Sequence, residues 1–236
     1  MDKYSIVIPC FNESFNIPRL FSEVDKYIVK DTCLEVIFVD DGSTDSTKIL
    51  LQQFKDTHNK SVSVISYPEN RGKGFAVRTG VLSARGKWII VFDADLAVSL
   101  DHIEKLKPFI ASGNEVIIGN RRRKDAHILV HQSFIRENFG KVYTIVAQMV
   151  TGVKVDDFTC GFKCFSESSA KRIFSASRIN RWTYDAEIFY LIKKYNIKWS
   201  EIGVVWRDGD KTKVRIVRDT LQSFWDTLRI PFLHNN

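Results

Sequence analysis

A chain of 236 residues, 44% hydrophobic and 27% charged, has the material for one sizeable α/β domain with a real core. No stretch approaches the roughly 20 apolar residues of a spanning helix. Cys10, Cys33, Cys160 and Cys164 form no CxxC pair, and no histidine pair stands at zinc-finger spacing, so membrane-spanning and zinc-module classes are excluded. The net charge of +7 favours anionic partners: nucleotides, phosphates, acidic lipid surfaces or nucleic acid.

Met1-Asp2-Lys3-Tyr4 leads into a short apolar run and then polar residues, which reads as neither signal peptide nor membrane anchor. With four thiols expected reduced and mostly buried, the expected location is cytoplasmic. Tyr4 to Ile8 predicts a strand closed by Pro9. Apolar residues at helical spacing predict a helix over Ile17 to Val29, and Leu34 to Val39 is again a continuous apolar run. Ser43 to Phe54 reads as a capped helix, Val62 to Ser66 as a strand, Phe75 to Ala84 as a helix and Trp88 to Phe92 as a strand. A helix over Ile103 to Ile110 and a strand over Glu115 to Ile118 complete this stretch. Continuous apolar strands alternating with helices imply a mostly parallel sheet covered on both faces. After Asn120 comes the basic run Arg121 to Lys124, then a long helix from about Ser133 to Val150. The run Phe162 to Phe165, a helix from about Tyr184 to Tyr195, a strand near Ile202 to Trp206 and a last helical pattern over Ile216 to Leu233 follow. There is no internal repeat, low-complexity segment or linker.

Val39-Asp40-Asp41-Gly42-Ser43-Thr44-Asp45 ends an apolar strand in two carboxylates. Ligands of doubly wound sheets bind beyond such strand ends, and a carboxylate there can accept from a base N–H or ribose hydroxyls. The same residues also suit a solvated turn with a good N-cap. Phe92-Asp93-Ala94-Asp95 ends a second apolar run. Carboxylates two residues apart can share a Mg2+ or Mn2+ ion, which takes oxygen ligands together with substrate phosphates. A DxD alone is common in loops; two acidic strand ends in one sheet say more. Between them, Asn70-Arg71-Gly72-Lys73-Gly74 puts cations and glycines before a helix, suited to holding an anion. It is not a Walker loop, and no GxGxxG follows the first strand.

The series Pro9-Cys10-Phe11-Asn12-Glu13, Val39-Asp40-Asp41-Gly42-Ser43, Asn70 to Gly74, Asp93-Ala94-Asp95 and Ile118-Gly119-Asn120-Arg121 resembles the ordered signature of family-two inverting glycosyltransferases of the GT-A fold. Asp157 to Lys163, Arg181 to Glu187 and Lys211 to Val214 resemble the branch that makes polyprenyl-phosphate sugars. Within it, the dolichyl-phosphate glucosyl-transferring type is most similar and the mannose synthases come next. The resemblance spans nearly the whole chain.

It implies an α/β, Rossmann-like GT-A domain over 1–236, with a nucleotide-sugar half to about residue 120 and an acceptor half from about 121. Pro9, Phe11, Asn12, Glu13, Asp40 and Asp41 would surround the base and ribose, with Lys73 nearby. Asp93, Ala94 and Asp95 would meet the donor diphosphate, the two aspartates holding Mg2+ or Mn2+. Arg121, Arg136, Arg207 and Lys213 would face the diphosphate or the acceptor phosphate. Asp157 would lie near the acceptor as a candidate catalytic group with Arg121, and Asp185 and Glu187 would shape the sugar pocket. Mannose synthases often carry Gln two residues after DxD as a further metal contact, and here that position is Ala97.

The implied reaction is transfer of a hexose, glucose from UDP-glucose, to a polyprenyl (dolichyl or undecaprenyl) phosphate with inversion. Mannosyl transfer from GDP-mannose, or transfer to a glycan or protein hydroxyl, are the alternatives. A phosphate acceptor is already anionic and needs no strong base, whereas a hydroxyl acceptor needs one, and Asp157 is the candidate. The cations at 121–124 suit an acceptor phosphate or a solvated loop. Val217, Leu221, Phe224, Leu228 and Phe232 give the last helix amphipathic spacing, suited to packing on the domain or to lying on a bilayer. Peripheral contact with the cytoplasmic membrane face, direct or through a separate anchoring subunit, is expected. His127 and His131 could pair on a helix face, but without a third ligand they read as structural or surface residues. A nucleic-acid module is the competing class, and no aromatic–basic or recognition-helix pattern supports it.

Overall fold

β-branched and aromatic runs become strands because both their faces are covered. The computed structural model describes residues 3–30, 32–130, 134–207 and 216–235, with backbone only at 134–138 and 216–221. One seven-stranded sheet holds β1 (Tyr4–Cys10), β2 (Cys33–Asp40), β3 (Val62–Ser66), β4 (Trp88–Val91) and β5 (Val116–Asn120). A separate two-stranded sheet begins with β6 (His127–Val130). The large sheet is completed by β7 (Lys163–Ser166) and β8 (Trp199–Gly203), and β9 (Val205–Arg207) pairs with β6. The order in the large sheet is β3-β2-β1-β4-β7-β5-β8. Every pairing in it is parallel except the two made by β7. The expected mostly parallel α/β sheet is therefore present, and residues after 120 contribute two of its strands.

Alternate residues of β1 serve opposite cores. Val7 packs under α3 (Lys73–Ser83), α6 (Glu167–Ala176) and α7 (Tyr184–Lys194), while Ile6 and Ile8 pack under α1 (Ile17–Ile28) and α2 (Thr47–Thr57). With neither face wet, the strand keeps no polar alternation. β1 does not stop at Pro9 as predicted. Val7 O accepts from Phe92 N–H, so the odd positions of β1 point toward β4, which ends at Val91. Pro9 points the same way, so its missing N–H interrupts only the β4 side while pairing with β2 continues through Cys10.

Two helical predictions shift for local reasons. The Ile103–Ile110 helix is a 3-10 turn at Leu100–Leu106, capped by Ser99 Oγ accepting from Asp101 N–H. Pro108 then opens the short α4 (Lys107–Ala111). Glu167–Ala176 was not predicted, yet Ser166 caps it and Ala170, Ile173 and Phe174 are buried at helical spacing. α5 (Phe134–Thr151) and α8 (Ile216–Leu233) run where expected. Both pack on α7, whose residues from Tyr184 to Phe189 are all buried beneath them. Their inner faces bury Tyr143, Ala147, Thr227 and Ile230. Their outer faces expose Phe139, Val142, Ile145 and Met149 on α5 and Trp225, Leu228 and Phe232 on α8. The last helix thus packs on the domain and still presents an apolar face. Val217 and Leu221 lie outside the residues whose side chains are described. No helix among the described residues is long and apolar enough to cross a membrane.

Candidate active site

Because β1, β2 and β4 are parallel neighbours, the chain segments after them emerge at one edge of the sheet. The two carboxylates after β2 part company there. Asp40 is buried and accepts from Ser43 N–H (3.1 Å) and Ser66 Oγ (2.9 Å), so it braces the turn. Asp41 accepts from Asn70 Nδ2 (2.8 Å), Arg71 N–H (2.8 Å) and Gly72 N–H (2.9 Å). Burial pushes its carboxyl up, against the N–H groups of Arg71 and Gly72, which favour the charged form. After β1, Asn12 adopts a left-handed φ of 53°. Its Oδ1 accepts from Thr44 N–H (2.8 Å), and its own N–H donates to Ser43 Oγ (2.9 Å). Glu13 N–H donates to Thr47 Oγ1 (2.7 Å). Pro9 and Phe11 lie half-buried on the same edge. Asn12, Asp40 and Asp41 thus fix the shape of this edge through their own hydrogen bonds.

The loop read as an anion cradle is largely spent on the protein itself. Gly72 has a φ of 103°, and a Cβ there would lie 2.5 Å from Asn180 O. One on Gly74 would lie 2.6 Å from Ile179 O. Phe75 N–H donates to Asn180 O (2.9 Å). The glycines are needed for a close backbone crossing, and what they deliver to the site is Lys73. Its Nζ lies 2.6 Å from Asp93 Oδ1 and 5.5 Å from the Trp182 ring centroid.

Asp93 and Asp95 stand on the turn after β4, half-buried around the buried Ala94. Burial pushes Asp93 up, but the Lys73, Lys163 and Arg121 charges outweigh it and hold the carboxyl below its ordinary value. Asp95 has less help. Burial and the neighbouring Asp93 charge push it up to about 6, while Ala97 N–H on its Oδ1 (3.0 Å) opposes the rise. A carboxyl raised by a neighbouring carboxylate, as Asp95 is by Asp93, is relieved by a shared cation. Asp93 Oδ1 also has no well-directed hydrogen bond despite the nearby ammonium. Among the described residues no third His, Cys, Asp or Glu completes a metal cluster. The donor set therefore fits an ion held by two carboxylates and completed by ligand oxygens.

Cations surround this pair. Arg121 donates through Nε to Asp157 Oδ2 and through Nη2 to Asp157 Oδ1, both at 2.7 Å, and through Nη2 to Thr159 Oγ1 (2.8 Å). Its guanidinium lies 5.2 Å from the Trp206 ring centroid. Asp157 is 2% exposed. Burial would push its carboxyl up, but Arg121 holds it at about 2. Lys163, 1% exposed, places Nζ 2.6 Å from Asp185 Oδ1. Burial leaves Asp185 above its ordinary value in spite of Lys163 and Lys73. Glu187, read beside Asp185 as a pocket residue, is fully buried and accepts from Arg178 N–H, Ile179 N–H and His234 instead.

Arg207 N–H donates to Ala97 O (3.0 Å), bringing β9 onto the Asp93–Asp95 turn with the Arg207 side chain exposed. Arg122 donates to Asp156 O (2.6 Å) and Arg123 to Asp125 (2.8 Å), so with Arg121 on Asp157 three of the four cations of the 121–124 run are engaged by the protein itself. The side chain of Arg136, and Lys213 and His131 altogether, lie outside the described residues. His127 opens β6, so it presents no helix face. The sequence reading missed Lys163 and Trp182. A lone lysine within an apolar strand was the available signal for the first, since a buried ammonium requires a partner.

Comparison with known proteins places the chain in a family. The model of the family described as glycosyl transferase family 2 matches residues 5–174. The dolichyl-phosphate β-glucosyltransferase of Homo sapiens is 32% identical over 241 residues, spanning 96% of this chain and 72% of that protein. The Dictyostelium discoideum protein of the same name is 30% identical over 240 residues, spanning 97% and 73%. Among solved structures, glucosyl-3-phosphoglycerate synthase from Mycobacterium tuberculosis with Mn2+, UDP-glucose and phosphoglyceric acid superposes with a TM-score of 0.70. The identity is 15%, and the match covers 97% of this chain and 79% of that one. The same protein with Mg2+ and UDP gives 0.69 at 15% identity, covering 97% and 78%. At that identity the likeness establishes the shared GT-A fold.

Proposed function

This chain belongs to glycosyl transferase family 2, and from that membership we propose that it transfers glucose from UDP-glucose to a polyprenyl phosphate with inversion, using Mg2+ or Mn2+. The carrying observation is the Asp93–Asp95 pair at the sheet edge, faced by Lys73, Lys163 and the Arg121–Asp157 pair. The curated relatives are glucosyltransferases of dolichyl phosphate by name, which favours glucose over mannose. The nucleotide lies over Asn12, Glu13 and Asp41, and the diphosphate over Lys73.

Asp93 and Asp95 would hold a Mg2+ or Mn2+ ion together with donor oxygens, and the ion would supply positive charge against the departing diphosphate. Lys73 adds a second positive charge from the α3 side. Arg121, aligned by Asp157, orients the acceptor phosphate with Arg207, and in this reading Arg136 and Lys213 join them. No general base is required, because the acceptor oxygen is already anionic. The hydroxyl-acceptor alternative loses its candidate base: a carboxylate held at about 2 in a two-point ion pair is a poor proton acceptor near neutrality. Asp157 is a positioning residue in this scheme, and Asp185 acts on the sugar pocket through Lys163.

The lipid end of the acceptor requires a bilayer contact. Of fourteen exposed large apolar side chains among the described residues, three lie on β6, four on α5 and three on α8. We place the cytoplasmic leaflet against this face, in which case a separate anchoring subunit is dispensable. The reaction is tested by incubating the protein with UDP-glucose and a short polyprenyl phosphate, with and without EDTA. Glucosylated lipid that disappears with EDTA and returns with Mn2+ is expected. Glucose appearing only on hydroxyl acceptors would overturn the proposal.

Asp95 makes the metal step acid-sensitive. With its carboxyl at about 6, the metal must displace a proton at lower pH. Mn2+ affinity measured by calorimetry is expected to be level above about pH 7 and to weaken by up to about tenfold per unit below about 6. An affinity flat across that range would remove Asp95 from the ligand set.

A further inference from the structure

We infer that Glu187 is a positioning residue for the donor site: held by His234, it fixes the 178–180 loop that sets the Gly72-Lys73-Gly74 backbone and hence the Lys73 ammonium. The inference rests on the donor reading above and assigns Glu187 a role the sugar-pocket resemblance does not contain. Glu187 is 0% exposed, and its carboxylate meets three donors: Arg178 N–H at 2.7 Å, Ile179 N–H at 3.0 Å and His234 Nε2 at 2.8 Å. His234, 7% exposed, comes from the end of α8, so the C-terminal helix is tied to the same carboxylate.

The loop between α6 and α7 has no ladder to satisfy its backbone. Glu187 reaches back from α7 to supply acceptors for two consecutive N–H groups. On its other side the loop carries the donor-site strand of contacts already described. Asn180 O accepts from Phe75 N–H, and the backbones of Ile179 and Asn180 leave no room for a Cβ on Gly74 or Gly72. Arg78 of α3 adds Nη1 to Ser177 O (2.9 Å) and Nη2 to Asn180 Oδ1 (2.8 Å), clamping loop and helix together. Trp182, two residues on, lies beside Lys73 Nζ. A shift of 178–180 therefore moves the backbone on both sides of Lys73, while Asp41 holds only its nucleotide-side end.

Glu187→Gln keeps the size but cannot accept from all three donors. It is expected to raise KM for UDP-glucose about tenfold and to change kcat by less than about threefold, since the chemical groups remain. In ligand-free protein labelled with 5-fluorotryptophan, it is expected to move the Trp182 resonance, assigned with Trp182→Phe. Ser169→Ala is the stability control. It removes a hydrogen bond to Glu115 (2.9 Å) at the far end of α6 and is expected to lower Tm with KM and the Trp182 signal unchanged.

A Glu187→Gln protein with lower Tm but unchanged KM and an unmoved Trp182 resonance would overturn the inference. If that variant does not fold, His234→Ala, which removes one of the three donors, decides the matter: KM raised about threefold with a shifted resonance supports it, and neither change overturns it. The resonance is read without ligand, so failure of the wild type to bind UDP-glucose would count against the donor reading and leave the loop test intact.

Discussion

Replacing Asp93 and Asp95 together by alanine is expected to lower kcat/KM by at least about a thousandfold while leaving the fold in place. Charge building on a leaving diphosphate is the largest electrostatic demand of this reaction, and losing a fixed stabiliser of such charge costs about two to three orders of magnitude or more. Stability should change little, because the two losses have opposite sign. Asp95 sits above its ordinary value through burial and the Asp93 charge, so its removal relieves a repulsion. Asp93 is the partner of Lys73, and its removal leaves a partly exposed ammonium with Asp185 still nearby. Turnover and thermal unfolding measured on one preparation separate the outcomes. Turnover retained within about tenfold of wild type, at unchanged Tm, would end the metal-holding role of the pair.

The second large effect is on stability. Arg121→Ala should destabilise the protein by about 3–5 kcal/mol, because it leaves the 2%-exposed Asp157 as an uncompensated buried charge. At about 2–4 °C per kcal/mol for a chain of this size, that is a fall in Tm of about 10 °C. The pH dependence follows from the direction of the shift. Arg121 holds the Asp157 carboxyl at about 2, so the stability this group contributes is present above the ordinary aspartate value and is lost as pH falls toward 2. In the variant the carboxyl keeps its backbone N–H donors from positions 121 and 159 but is buried without a cationic partner, so it takes up a proton more readily. The Tm gap between wild type and variant should therefore be widest near neutral pH and narrow below about pH 4. A gap constant over pH 3–8 would mean that the two-point ion pair is not the source.

How much of this was legible in the sequence depended on which physical signal each residue carries. Strand ends with carboxylates were readable, because an apolar run buried on both faces admits Asp40, Asp41, Asp93 and Asp95 only where the sheet stops. The division of labour between neighbours was not. Asp40 turns under the loop to Ser66 while Asp41 turns to Asn70 and Gly72, and the sequence presents them as one pair. Asp185 and Glu187 show the same limit on a helix. Two residues apart is about 200° of rotation, so Asp185 meets Lys163 at the site and Glu187 meets His234 on the far side. β6 was missed because all four of its residues are exposed, which erases the burial pattern that periodicity detects. The direction of β7 was unreadable for another reason: an apolar strand buried on both faces looks the same whichever way it runs.

That antiparallel strand has a consequence for how the protein is made. β7 lies between β4 and β5, so the first 120 residues leave the ribosome with two strand edges facing a gap that Lys163–Ser166 has yet to fill. Until it does, β4 presents unpaired N–H and C=O groups along Trp88–Val91, an edge able to pair with another nascent chain. The acidic turn that follows β4 is therefore settled late in synthesis, and it is residues after 120 that close the sheet begun by the first 120.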